Sequence, residues 1–187
     1  MRRRVAAALI HYPVLDRAGG IVTSAITNLD LHDIARSAFT FGLTDYFVVH
    51  PVAAQRELAL RVRAHWVEGA GGRRIPDRVP PMSALRVVAS VDDAIDELRS
   101  ADGQPPELWT TSARRAKSSL SYQAARGQLQ AEGPSVLLVF GTGWGLAPEL
   151  EARATARLEP IESPREDGFN HLSVRAAAAI TFARLLG

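Results

Sequence analysis

The chain contains no cysteine among its 187 residues, which excludes disulfide staples and thiolate metal sites. Lysine is almost absent: Lys117 stands alone, and the remaining 21 cations are arginines. No apolar run approaches the ~20 residues of a membrane span, so no membrane partner is expected. The histidines His11, His32, His50, His65 and His171 show neither H-x-x-x-H nor H-x-H spacing, so no metal site is read. No linker, repeat or second composition regime interrupts the chain, and residues 1–187 are expected to form a single domain.

What is present describes an ordinary globular protein. Hydrophobic residues make up 47% and charged residues 22%, and 22 cations against 20 anions leave a net charge of +2. A chain of this length can bury about 70% of its unfolded surface, so it needs no staples. Arginine forks suit phosphate and stack on bases, which fits RNA, although GC-rich coding enriches arginine equally well and is the plainer source on composition alone. The start, "MRRRVAAALIHYPVLD", has the basic head and short apolar segment of a signal peptide. It lacks a small-residue cleavage site and runs into a strand-like pattern, so a first strand and a cytoplasmic location are expected.

Along the chain, Val5–Ile10, "DYFVVHP", "ALRVVAS", "PELWTTSA", "VLLVF" and "RLEPIES" predict strands. "LDRAGG" predicts a turn, and "IVTSAIT" a short extended piece. Between them, "NLDLHDIARSAFTFG" has Leu31, Ile34, Ala35 and Ala38 at helical spacing, with Asn28 or Asp30 placed to cap it. "VAAQRELALRVRAHWVEG" is a long amphipathic helix, and "VDDAIDELRSADG", "SSLSYQAARGQLQAEG" and "APELEARA" predict further helices. "GAGGRRIPDRVPP" reads as a mobile cationic loop. In "HLSVRAAAAITFARLLG" a helix runs to the end, with Asn170 as its expected N-cap and Ser173 three positions in. Strands alternating with helices imply an α/β fold, a mostly parallel sheet covered on both faces.

The stretch with the most chemical content is "VLLVFGTGWGL", where a strand ends in Gly141, Gly143 and Gly145. Ligands of open α/β sheets sit outside such carboxyl ends. A P-loop would need Lys-Ser/Thr after the last glycine, where Leu146 and Ala147 stand, and a dinucleotide fingerprint would need G-x-G-x-x-G on the first strand. Both fail. What remains is a loop of exposed main-chain groups able to grip a neutral heterocycle and ribose, or a tight turn whose glycines serve only positive φ; the motif by itself favours the turn. About 30 residues on, "NHLSVRAAAAI" opens a helix whose free N–H groups make a polar ligand site.

Together, "VLLVFGTGWGL" and "NHLSVRAAAAI" resemble the last two motifs of the SPOUT, or α/β-knot, superfamily of S-adenosyl-L-methionine-dependent RNA methyltransferases, closest to a bacterial stand-alone group. "NLDLHDIARSAFTFG" is similar to that superfamily's first motif, an Asn-containing helix ending in Arg, a small residue and Gly, with Asp30 where some branches carry a second Asn. The resemblance covers about Val5 to the C-terminus. It implies a C-terminal deep trefoil knot, a homodimer through the knot helices, and a bent cofactor held by three loops. By match these are "TTSAR" with Thr111 and Ser112, "FGTGWGL" with Phe140, Gly141, Thr142, Gly143, Gly145 and Leu146, and "LEPIE" leading to "NHLS" with Asn170, His171, Leu172 and Ser173. Leu158, Ile161 and Leu172 would wall the adenine, and the glycines would let main chain close around the adenosine.

The resemblance also implies a methyl transfer in which Arg36, supplied across the dimer, orients a phosphate or the acceptor oxygen, since a guanidinium stays protonated and is a poor base. Asn28 would position Arg36 or the substrate, with Ser173 and Arg175 opposite. The expected substrate is structured RNA, tRNA or rRNA, methylated on a ribose 2′-hydroxyl or a base nitrogen. By residue type alone, Arg73 and Arg74 in "GGRRIPDR" could clamp it, each phosphate contact adding roughly 0.7 to the salt slope on single strands, or belong to no more than a solvated loop. The alternative is a non-catalytic protein of the same fold that binds the cofactor, another adenosine compound or RNA. A flavodoxin-like nucleotide enzyme is weaker, because no phosphate loop is present.

Overall fold

Every residue of the first strand, β1 (Val5–Ile10), is buried, as expected of a strand covered on both faces. The computed structural model describes residues 3–116 and 118–187. Met1 and Arg2, the head of the basic start, and Lys117 lie outside the described residues. Two short strands follow, β2 (Val14–Leu15) and β3 (Ile21–Val22), paired antiparallel as a hairpin. The Asp16 side chain closes its turn by accepting from Ala18 N and Gly20 N, both at 2.8 Å. Helix α1 (Asn28–Thr40), strand β4 (Tyr46–Val49) and helix α2 (Ala53–Val67) come next.

The cap of α1 is Thr27, not Asn28 or Asp30. Its Oγ1 accepts from Asp30 N at 3.2 Å and donates to Asp30 Oδ2 at 2.6 Å, so Thr27 is the half-in residue and Asp30 its reciprocal partner one turn inside. The stretch read as a loop, "GAGGRRIPDRVPP", is helical instead: α3 (Ala70–Arg74), a 3₁₀ turn (Pro76–Arg78) and α4 (Val79–Ser83). Packing overrides composition here. Gly71 lies so close to the His65 ring that a Cβ would come within 2.7 Å of it, and one on Gly72 would lie 2.2 Å from Trp66 O. The Arg78 guanidinium covers the Trp66 ring at 5.2 Å.

The remaining elements are β5 (Leu85–Val88), α5 (Val91–Asp102), β6 (Glu107–Thr110), α6 (Tyr122–Gln130), β7 (Val136–Gly141), α7 (Pro148–Glu151), β8 (Ala156–Arg157) and α8 (Val174–Leu186). "RLEPIES" contributes less strand than expected. Of it only Arg157, with Ala156 before it, pairs with β6, Leu158 N and Glu159 N still donate to Thr110 O and Leu120 O, and Pro160, without an N–H, ends the ladder. Helix α8 starts later than expected. Ser173, not Asn170, is its N-cap and accepts from Ala176 N at 3.2 Å, while Asn170 Nδ2 donates to Ile161 O at 2.9 Å.

Six strands form one parallel sheet in the order β5-β4-β1-β7-β6-β8. Val5, Ala7 and Leu9 face a core with α1, α6 and α8, whereas Ala6, Ala8 and Ile10 face α5 and α7. The sheet is thus sandwiched by helices, an α/β architecture. The chain builds outward from β1 through β4 to β5, then crosses to the other side of β1 for β6 and β7. The carboxyl ends of β1, β6 and β7 open at that reversal, where α/β sheets bind ligands. Among the described residues, no helix is long and apolar enough to cross a membrane.

Candidate functional site

At this reversal lies a cavity of ≈ 830 Å³, a size that suits a small molecule or cofactor. Its first wall is the end of β7 and the loop behind it. Thr142 Oγ1 donates to Ile10 O at 3.0 Å, and Gly145 N donates to Thr142 O at 3.1 Å. The hairpin straps this loop from outside: Trp144 N donates to Leu15 O and Leu15 N to Gly145 O, both at 2.9 Å. The second wall is the loop before α8 together with its cap, tied to Ile161 by Asn170. The third follows β6, where the N–H and Oγ1 of Thr111 both donate to Val139 O at 3.1 Å.

Of the residues expected to hold a cofactor, Thr111, Ser112, Phe140, Gly141, Thr142, Gly143, Gly145, Ile161, Asn170, His171, Leu172 and Ser173 line this cavity. Leu146 and Leu158 do not; both are core residues, 3% and 1% exposed. The glycine reading is revised as well. A Cβ on Gly141 would lie 2.9 Å from Leu146 N, and one on Gly143, at φ +60, would lie 2.8 Å from Leu15 O. At these two positions a side chain would collide with the protein's own main chain before it met any ligand.

Arg175 lines the cavity and pairs with Asp30 at 3.0 Å and Asp33 at 3.4 Å. Arg36 and Asn28 are exposed on α1 and lie outside the lining, as do the exposed Arg73 and Arg74 on α3. The sequence reading missed a fourth wall, Ser24, Ala25, Thr27 and Asp30. It also missed an aromatic lip. The His171 ring sits 6.1 Å from Trp144 and 5.2 Å from Phe169, and Trp144 and Phe169 are 46% and 58% exposed. These rings stand 25 residues apart in the chain, and no local pattern joins them.

Beneath the cavity, His11 is fully buried, with Nδ1 2.9 Å from Ser24 Oγ. The proton of Thr142 Oγ1 is spent on Ile10 O, so Ser24 Oγ donates to Thr142 Oγ1 and accepts from His11 Nδ1–H. His11 Nε2 is then a bare acceptor, without a partner among the described residues. Burial pushes His11 down to about 4, helped by His50 and opposed by Asp30. His50 is lowered too, by burial; its Nδ1 accepts from Val52 N, and its Nε2–H donates to Ser24 O at 3.0 Å. Both rings are therefore neutral, and the cavity floor is a fixed chain of hydrogen bonds. Among the described residues, no group of three or more His, Cys, Asp or Glu side chains could hold a metal ion.

The lining fits an adenosyl sulfonium amino acid. Ile161 and Leu172 offer an apolar flank to a purine, the loop after β7 offers main-chain donors and acceptors, and Asp30 and Glu159 offer negative charge to a cation.

Residues 4–187 match the model of a family described as SAM-dependent RNA methyltransferase. A tRNA (guanine-N(1)-)-methyltransferase of Oleidesulfovibrio alaskensis is 43% identical over 185 residues, which are 99% of this chain and 42% of that protein. The chain thus spans less than half the length of that relative. An uncharacterized protein of Aquifex aeolicus is 36% identical over 178 residues, 95% of this chain and 86% of that one. Among solved structures, the SpoU methyltransferase AviRb of Streptomyces viridochromogenes, in complex with the cofactor AdoMet, superposes with a TM-score of 0.58 at 15% identity, covering 100% of this chain and 58% of that one. That structure shares the fold.

Proposed function

The chain belongs to the SAM-dependent RNA methyltransferase family, and from that premise we propose that it transfers a methyl group from S-adenosyl-L-methionine to structured RNA, tRNA or rRNA, on a ribose 2′-hydroxyl or a base nitrogen. One observation supports this: the glycine-bearing end of β7 and the Ser173-capped start of α8 line one cavity, together with Thr111 and Ser112. The sulfonium, when bound, supplies a methyl group on a good leaving group. The chain's own residues then have three tasks: to hold the cofactor bent, to bring the acceptor into line, and to take one proton.

Thr111, Ser112, Asn170 and the main chain of Gly141–Gly145 would hold the cofactor, with Ile161 and Leu172 against its adenine. For RNA, the exposed Trp144, His171 and Phe169 make a stacking surface at the cavity mouth, the kind that bases pack on without sequence preference. Arg114 and Arg175 in the lining, and Arg73 and Arg74 beyond it, add phosphate contacts. In this reading the segment before α8 threads a trefoil knot, residues 1–187 act as one domain, and the protein works in the cytoplasm as a homodimer. Leu29 and Phe39, 58% and 50% exposed on α1, would meet the second copy. Arg36, outside its own cavity, would then serve its partner's.

A thermal-shift titration tests the cofactor half. At 100 times Kd, binding stabilises by ~2.7 kcal/mol, and an unmoved melting curve at millimolar cofactor contradicts it. Tritiated methyl transfer to total RNA tests the rest. Arg36→Ala is expected to cost about a hundredfold, the scale of a misplaced acceptor; undiminished transfer would remove Arg36 from the mechanism. Binding without any transfer would identify a cofactor-binding protein of this fold instead.

A further inference from the structure

We propose that His11 and His50 are positioning residues that lock Ser24, so that the cavity floor presents hydroxyl oxygens as acceptors only. That floor is a seat for the α-ammonium of the cofactor's methionyl arm. This deepens the methyltransferase reading and rests on it. Ser24 and Thr142 line the cavity, whereas His11 and His50 do not. Ser24 is held at every polar group. Its N–H donates to His11 O at 2.9 Å, and its carbonyl accepts from His50 Nε2 at 3.0 Å. Its Oγ accepts from His11 Nδ1 at 2.9 Å and donates to Thr142 Oγ1. Thr142 is fixed in the same way, its N–H and Oγ1 both donating to Ile10 O, at 3.3 and 3.0 Å. A hydroxyl has one hydrogen and two lone pairs. Each of these oxygens has committed its hydrogen and one lone pair, so each keeps a single lone pair and has no proton to donate.

Holding the chain in place does not require this arrangement. The main-chain bonds of Ser24 already tie its segment to the ends of β1 and β4, and an alanine would keep both. His11 is fully buried, and its Nε2 has no partner among the described residues. A buried acceptor left bare costs stability, and an apolar residue would fill the same space without that cost. What the ring supplies is one N–H, delivered to Ser24 Oγ. The His50 ring lies beside it, centroids 5.6 Å apart, and holds the carbonyl of the same serine. A residue that faces a ligand is thus locked by hydrogen bonds from behind, the support that a preorganised site needs.

Two adjoining oxygens that only accept select what can sit on them. The cofactor's carboxylate and the phosphates of RNA have lone pairs and no hydrogens, so this floor turns them away. A ribose hydroxyl both donates and accepts, and half of that capacity would be idle here. The α-ammonium has three hydrogens and no lone pair, so it loses nothing by facing acceptors alone. Its charge also makes each bond roughly twice as strong as a neutral one. The floor lies at the ends of β1 and β7, whereas the apolar flank of Ile161 and Leu172 belongs to the segment before α8. Arm and adenine are therefore assigned to different walls of one cavity.

The test is calorimetry on the full chain with three probes. S-adenosyl-L-methionine has the whole arm, its decarboxylated form keeps the ammonium, and 5′-methylthioadenosine keeps adenine and ribose but lacks the arm. Ser24→Ala should weaken the first two alike, by about tenfold or more, the scale of a hydrogen bond to a charged group, and leave the third within about twofold. Thr142→Val should show the same selectivity, because it frees the Ser24 hydrogen to turn toward the ligand, and Thr142→Ser should recover most of the affinity. His11→Leu should weaken the ammonium-bearing probes, and His11→Asn, which keeps an N–H toward Ser24 Oγ, should restore part of the loss. Ser24→Ala keeps both main-chain bonds and decides the matter should a His11 variant fail to fold. Equal losses in His11→Leu and His11→Asn would end the positioning role of His11. If Ser24→Ala weakens 5′-methylthioadenosine as much as the full cofactor, the ribose occupies the floor and the proposal is overturned. Unchanged affinity for all three probes overturns it as well. Either result leaves the methyltransferase reading standing, whereas no heat from any probe at millimolar concentration in the wild type overturns both.

Discussion

Gly143→Val is expected to abolish cofactor binding and to destabilise the protein by several kcal/mol. Gly143 has φ +60, and a Cβ built there would lie 2.8 Å from Leu15 O, a backbone atom. The left-handed conformation alone costs an ordinary residue about 1–2 kcal/mol, and β-branching stiffens the choice further. Relief is blocked because Leu15 is held on both sides: its carbonyl accepts from Trp144 N and its N–H donates to Gly145 O. Either the hairpin moves away and loses both bonds, or the loop flips and its main-chain groups leave the cavity wall. Calorimetric titration should show no heat of cofactor binding, and urea unfolding should show a lower midpoint with an unchanged slope. Gly127→Ala is the control. It lies exposed in α6 with open space where a Cβ would go, so the same loss of a glycine should stabilise by about 0.5–1 kcal/mol. Unchanged affinity in Gly143→Val would mean that the loop after β7 does not hold the cofactor.

The parallel sheet was legible because its evidence is local. Val5–Ile10 and Val136–Gly141 are apolar throughout, as strands buried on both faces must be, and the glycines of the β7 loop announce its turn. The rest depended on distant neighbours. The region 70–83 carries the glycines and prolines of a loop, yet the missing side chains of Gly71 and Gly72 are what let its helical turns close on His65 and Trp66. Asn170 and Ser173 are both good caps by residue type; Ser173 won because the Asn170 amide is spent on Ile161 O, nine residues earlier. Asp30 reads as a capping residue in any sequence window. That it faces a cavity follows only from α8 packing against α1 and delivering Arg175 to it, 145 residues away. Three of the loops that line the cavity were legible through two motifs, the glycine-rich and the C-terminal, and the resemblance they carry, whereas Ser24, Thr27 and the aromatic lip belong to no motif.

Acid should weaken the fold through His11 before it touches the cavity. In the native state this ring is fully buried and neutral, with its pKa lowered from 6.5 to about 4. In the unfolded chain it protonates near 6.5. Between those values the unfolded state binds a proton that the native state refuses, so the stabilisation is complete above pH 6.5 and is lost as pH falls toward 4. Below 4 both states are protonated, and this group adds no further loss. The difference corresponds to about 3 kcal/mol. His50 and His32, also lowered by burial, act in the same sense, so the test must isolate His11. His11→Asn keeps an N–H where Nδ1 donates to Ser24 and removes the titration. Urea midpoints measured across this window should fall less steeply in the variant, by about 3 kcal/mol over its whole span, after subtraction of a pH-independent cost for the smaller side chain. Parallel curves would show that the ring reaches solvent and titrates normally. Because native His11 stays neutral down to about 4, the His11–Ser24–Thr142 chain beneath the cavity keeps its donors and acceptors throughout. At pH 5, folded molecules should therefore hold the cavity floor unchanged even as fewer molecules stay folded.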